Sequence, residues 1–170
     1  MPRRSNVPLK KAEDPILLVD TNIFVYATGI PDREKAPQTR SLEEACRQII
    51  LSLGQGSIRA VTHLAVLQEI LYLFARWARE RRAPGLYETG RKAAENALAL
   101  VEGVLTPTLV EFARALEGFD PRSEDFNDRL IVEGMKAHTI ERILTADRRF
   151  ARHHGINVLD PLTYVRWRAP

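Results

Sequence analysis

The stretch ILLVDTNIFVYAT, residues 16–28, decides the fold. Residues 16–19 are an unbroken apolar run of strand length, and residues 22–28 resume the apolar character as a helix opened by a capping residue. Between them stand a carboxylate, a hydroxyl and an amide: Asp20, Thr21 and Asn22. A buried strand that passes directly into a helix through three polar groups is the opening unit of an α/β domain. It also puts Asp20 just past the carboxyl end of a strand.

The rest of the chain repeats this alternation. Residues 29–39 read as a loop with two prolines and a glycine, and Ser41 is placed to cap a helix running to about residue 53, with Glu43 and Glu44 in its first turn. A strand is expected over 58–61 and a long helix over 63–81. RAPG (82–85) then breaks the chain, and a helix follows over 87–100. A strand at 104–106 leads to a helix that Pro107 opens at its first position and that ends near Gly118. A helix over 126–138 and strands at 142–145 and 157–159 complete the pattern. Helices alternating with short apolar strands imply an α/β fold with a central, mainly parallel sheet.

At 170 residues, 45% of them hydrophobic, the chain reads as one globular domain over residues 15–170, preceded by a basic, flexible tail over residues 1–14. No apolar stretch approaches the ~20 residues of a membrane span, and the tail lacks the apolar core of a signal peptide, so a cytoplasmic location without a membrane partner is expected. A single cysteine, Cys46, excludes an intrachain disulfide and a cysteine-cluster metal site, and reads as a core residue. The net charge of +3 is less informative than its distribution. Six basic residues between Arg76 and Lys92 face only Glu80 and Glu88, and Arg142, Arg148, Arg149 and Arg152 follow later. Such clusters attract phosphates, although a solvated helix surface accounts for them too.

In a parallel sheet the residues just past the strands gather at one edge, the usual place for α/β sites. Asp20 and Asp147 both follow apolar runs and belong there. Asp128, at 100° per residue, shares a helix face with Ile131, Val132 and Met135, so its carboxylate is expected to be partly buried and in need of a donor, cation or metal. Glu69 lies outside the apolar face formed by Leu64, Leu67, Ile70, Leu71, Phe74, Trp77 and Ala78, in a stripe that suits a cleft or open solvent. Taken singly, each acid has a plain alternative: a helix cap for Asp20 or Asp128, a turn for Asp147, a surface position for Glu69. Gathered together, they would repel one another and raise each other's pKa. Hard divalent cations such as Mg2+ or Mn2+ relieve that repulsion and suit phosphodiester hydrolysis.

Four motifs in order, VDTNIFVYA (19–27), VLQEIL (66–71), NDRLIVEGM (127–135) and ILTADRRF (143–150), resemble the PIN domain family, and within it the ribonuclease toxins of VapBC toxin–antitoxin pairs. The resemblance spans residues 16–161. It implies a three-layer α/β/α domain and a Mg2+- or Mn2+-dependent endoribonuclease, the toxin of a type II pair. Asp20, Glu69, Asp128 and Asp147 match the four acids that hold the metal. Asn22 and Thr145 match the polar residues that orient them. The implied partners are an RNA substrate, a cognate antitoxin that covers the site, and a second copy of the chain in a homodimer. A single-stranded region of the RNA is expected to be cut, because the attacked phosphate must enter a cleft of a small domain.

Some residues depart from the pattern. The third motif reads Asp-Arg-Leu, and periodicity points Arg129 about 100° from Asp128, toward the substrate path. Asp125, three residues before Asp128, is a further candidate ligand. Asp160 reads as a cap or turn before Pro161, and the pair His153 and His154 as surface residues. Two other readings compete. One is a catalytically weak PIN-like RNA- or protein-binding module. The other, an aspartyl phosphotransferase, wants a second Asp two residues after the first, where this chain has Asn22.

Overall fold

The computed structural model describes residues 15–31 and 35–168; the expected basic tail over 1–14 lies outside the described residues. Five parallel strands form the sheet: β1 (Leu17–Val19), β2 (Ala60–His63), β3 (Gly103–Leu105), β4 (Arg142–Leu144) and β5 (Asn157–Leu159), in the spatial order β3-β2-β1-β4-β5. β1 is central and buried along its whole length, as expected of a strand covered on both faces.

The helices are α1 (Thr21–Thr28), α2 (Pro37–Gly54), α3 (Leu64–Glu80), α4 (Gly85–Leu100), α5 (Leu109–Glu117), α6 (Phe126–Ala137) and α7 (Pro161–Arg168). The chain runs from β1 outward to β3, then returns across the sheet to β4. With right-handed crossovers, this reversal puts α1 to α4 on one face and α5 with α6 on the other. The packing agrees: α1 lies on α2, α3 on α4, α5 on α6, and α7 returns to α2. The result is the expected three-layer α/β/α sandwich. α3 and α4 approach closely because residue 90 is glycine; a Cβ there would stand 2.5 Å from that of Phe74.

Several boundaries differ from the expectations. α2 begins a turn before Ser41, with Pro37 in its first turn, and the Ser41 hydroxyl donates back to the Pro37 carbonyl at 3.2 Å from inside the helix. Pro107 lies before α5, because Thr108 and Glu111 form a reciprocal capping box that satisfies two amide donors. Leu71, expected in the apolar face of α3, is exposed beside Tyr72. A 3-10 turn (Arg148–Arg152) and α7 lack an apolar period strong enough to read. Asp160 does cap, accepting the Thr163 amide at 3.0 Å at the head of α7. Cys46 is in the core. His153 is not a surface residue: it is buried, with Nε2 3.4 Å from a Glu124 carboxylate oxygen, while His154 is exposed. Among the described residues, no helix is long and apolar enough to cross a membrane.

Candidate active site

The strand order reverses between β1 and β4, and side chains from their carboxyl ends meet there. The Asp20 amide donates to the Leu144 carbonyl at 3.2 Å, which locks the two strand ends together. Asp20 Oδ2 then accepts from the Thr145 hydroxyl at 2.7 Å and from the Asn22 amide nitrogen. Asn22 also donates to Thr145 Oγ1 at 2.7 Å, and its own oxygen takes the Ala146 amide at 2.8 Å. The Asp147 amide donates to the same Thr145 oxygen at 2.9 Å. Thr145 thus uses its one proton and both lone pairs, and is buried. The polar trio of the opening stretch is therefore a bracket across two strands. Asp20 leads into α1, but its side chain makes no capping bond.

Replacing this hydroxyl by a methyl leaves the shape nearly unchanged. Thr145→Val should strip a donor from buried Asp20 and orphan two N–H groups. The expected cost is about 2–4 kcal/mol of stability, read by urea denaturation. A cost below about 0.5 kcal/mol, the size of an ordinary surface substitution, would mean that the bracket does not hold the site.

Asp20, Glu69, Asp128 and Asp147 all line one cavity of about 420 Å3. The plain surface alternative for Glu69 does not hold: its Oε2 accepts the Thr21 hydroxyl at 2.7 Å, a bond that no local pattern signals. Asp128 is half-buried, as its helix face required. Burial pushes the Asp20 carboxyl up to about 6, with Glu69 and Asp147 adding repulsion. Burial, then the charge of Asp20, pushes Asp128 up to about 7. Asp147 goes the other way, held below the usual carboxylate range chiefly by hydrogen bonds from Arg149, whose Nη2 stands 2.5 Å from Asp147 Oδ2. The same guanidinium reaches Asp128 Oδ2 at 3.7 Å, so Arg149 is the cation the cavity already contains.

Two expected participants lie elsewhere. Asp125 is exposed and caps α6, accepting the Asn127 amide at 2.8 Å, and it does not line the cavity. Arg129 does not line the cavity either. Its Nε is 3.7 Å from Glu133 Oε1, and its guanidinium lies against Gly118, where any Cβ would collide with it. The cavity's other end, walled by Tyr26, Ile30, Leu73 and Trp77, is absent from the sequence-based expectations. A spacing of four links Asn22 to Tyr26 and Glu69 to Leu73 and Trp77, and that signal could have found it.

The donor set is entirely oxygen and strongly anionic, which fits a hard divalent cation rather than a soft metal. The acids line the cavity without closing around a single point: among the described residues, no three His, Cys, Asp or Glu are grouped so as to ligate one ion as they stand. Glu69 is occupied by Thr21 and Asp147 by Arg149.

Comparison with known proteins gives the same family throughout. The PIN domain model matches residues 17–156. A VapC ribonuclease of Mycobacterium bovis and ribonuclease VapC13 of Mycobacterium tuberculosis are each 33% identical over 147 residues, covering 85% of this chain and 99% of the relative. The fold is shared with the crystal structure of VapBC2 from Rickettsia felis bound to promoter DNA (TM-score 0.54, 15% identity, 85% of this chain and 97% of that one). It is also shared with VapC20 of Mycobacterium tuberculosis, a sarcin-ricin loop cleaving toxin (TM-score 0.57, 19% identity, 81% and 93%). A domain match over most of the sequence and full-length relatives at one-third identity agree with the site's construction, and the chain belongs to the PIN domain family, in its VapC group.

Proposed function

We propose that this protein is a metal-dependent endoribonuclease that cleaves RNA phosphodiester bonds as the toxin of a type II toxin–antitoxin pair. The observation that carries the reading is the convergence of Asp20, Glu69, Asp128 and Asp147 on one cavity at the switch point of a parallel sheet. Asp20, Glu69 and Asp128 would hold Mg2+ or Mn2+, with Asp147 completing the set. The chemistry such a cation supplies when bound is to offset the carboxylate and phosphate charges and to make water acidic enough to attack.

The chain's own residues supply the rest. Thr145 and Asn22 fix the Asp20 carboxylate in one orientation, and Thr21 fixes Glu69. Arg149 is placed to leave Asp147 for a phosphate oxygen as substrate enters, which would free Asp147 in the same movement. The cytoplasm, where RNA and an antitoxin are at hand, is the proposed compartment. A partner that inserts a basic side chain would satisfy the same acids and silence the enzyme. The exposed apolar side chains Leu109, Val110 and Leu116 of α5 support self-association as well.

The alternative is a catalytically weak binding module, and the pairing of Arg149 with Asp147 and Asp128 favours it. The deciding experiment incubates folded, partner-free protein with labelled single-stranded and structured RNAs in Mg2+, Mn2+ or EDTA. Cutting in either metal that EDTA abolishes is expected; intact RNA in all three would favour the binding module.

A further inference from the structure

The cavity has two chemically different ends, and the acids account for only one. Away from them, α1 and its following loop contribute Tyr26 and Ile30, while α3 contributes Leu73 and Trp77. Glu69, Leu73 and Trp77 follow one another at intervals of four on α3. The indole therefore stands about 12 Å along the helix axis from the acidic residue, at about 1.5 Å per residue. This wall is rigidly built. The Ile30 amide donates to buried Glu43 Oε1 at 2.9 Å, and that oxygen also takes Lys35 Nζ at 2.6 Å. Arg81 donates to the Pro31 carbonyl, which ties the loop to the end of α3. The Trp77 ring is braced edge-on by Phe74, with centroids 5.2 Å apart. A volume of about 420 Å3 is in the range of small-ligand pockets, about 300–1,000 Å3.

We propose that this apolar end is a base-binding subsite: an unpaired nucleobase flanking the scissile phosphate seats against Trp77, beside Tyr26 and Leu73. The inference rests on the ribonuclease reading above. A nucleotide carries its charge and its apolar surface on different parts. An RNA whose phosphate lies among the acids must send a base or its sugar–phosphate backbone along the groove. Tyr26, Ile30, Leu73 and Trp77 carry no charge to meet a second phosphate, whereas any base has a face to stack. A base in this groove cannot be paired, so cleavage is confined to single-stranded or splayed-out segments.

The test pairs protein variants with substrate variants. The cut site of a labelled RNA is mapped, and the flanking nucleotides are then replaced one at a time by abasic residues. Stacking on one aromatic ring corresponds to at least about a fivefold effect. Wild-type protein should lose about tenfold in kcat/KM on one abasic RNA. Trp77→Leu, which keeps apolar bulk, should lose about tenfold on intact RNA and be indifferent to that abasic position. Trp77→Phe, which keeps a ring, should restore most of the activity and the sensitivity. A purely structural role for Trp77 would leave the abasic penalty in the Leu variant, because only a shared contact makes the two changes non-additive.

A second readout does not require cleavage. Trp77 and Trp167 are the two tryptophans of the chain. In Asp20→Asn/Trp167→Phe protein, Trp77 fluorescence should be quenched by the intact oligonucleotide and not by its abasic counterpart. Equal cleavage of intact and abasic RNAs would overturn the subsite while leaving the nuclease standing. No cleavage of any RNA would overturn the nuclease first and the subsite with it. Quenching by an apolar peptide but by no oligonucleotide would make the groove a protein dock and would also overturn the proposal.

Discussion

Asp20→Asn is expected to abolish RNA cleavage and at the same time to raise the melting temperature of the metal-free protein at pH 8. The two effects have one cause. Asp20 is buried, its neighbours include Glu69 and Asp147, and burial pushes its carboxyl up to about 6. At pH 8 the native state must carry this charge against desolvation and repulsion. Asparagine keeps the shape, and its oxygen can still accept from Thr145 and Asn22, so the bracket survives without the charge. Relief of a shift of this size is on the order of 1–3 kcal/mol. For a domain this long, that corresponds to about 3–8 °C. The sign fixes the pH window. A carboxyl with a raised folded pKa costs nothing while it is protonated, below about 4, and its destabilising effect is complete once pH has passed the folded value. The gain in the variant should therefore be large at pH 8 and vanish near pH 4. Activity should fall by more than the roughly 10–100-fold typical of losing a supporting residue around a metal. Undiminished cleavage would remove Asp20 from the site, and a lower melting temperature at pH 8 would show that its charge is not under strain.

This residue also shows how much of the site is legible in the sequence. The order of strands and helices is legible because β1 is buried on both faces and its apolar run has no competing period. The position of Asp20 then follows from topology alone. Asp128 is legible because a carboxylate in an apolar helix face is anomalous. Glu69 is not, since a polar stripe looks alike in a cleft and in water; only the tertiary contact with Thr21 separates them. Arg149, legible in the sequence only as one of a phosphate-attracting cluster, is held over the cavity by Asp147 and Asp128. Arg129 is the residue that periodicity misplaces: it stands next to Asp128, yet the local pattern cannot say that Gly118 opens space for its guanidinium. His153 misleads for the same reason, its carboxylate partner Glu124 being 29 residues away in the α5–α6 connection. The start of α2 escapes a sequence reading because Pro37 suits loop punctuation as well as the first turn of a helix.

Divalent cations should stabilise the protein strongly at pH 8 and weakly at pH 5. At pH 8 both Asp20, at about 6, and Asp128, at about 7, are ionised, and a cation relieves a repulsion the fold is already carrying. A ligand at about a hundred times its dissociation constant adds about 2.7 kcal/mol, which corresponds to a rise of about 5–10 °C for a domain of this size. At pH 5 each carboxyl must first release a proton. The penalties are about tenfold for Asp20 and about a hundredfold for Asp128, so the same Mg2+ or Mn2+ concentration should barely move the transition. Arg149 sharpens the test, because it competes for Asp128 and Asp147 without itself titrating in this range. Arg149→Gln should increase the cation-induced shift at pH 8, since the ion then meets the acids unopposed, and should leave the pH 5 result small. The measurement is a thermal melt with and without cation at the two pH values, for wild type, Arg149→Gln and Asp20→Asn. A shift of equal size at both pH values, or one that persists undiminished in Asp20→Asn, would place the ion elsewhere on the protein. It would then be the guanidinium of Arg149, rather than a metal, that balances the acids of this cavity.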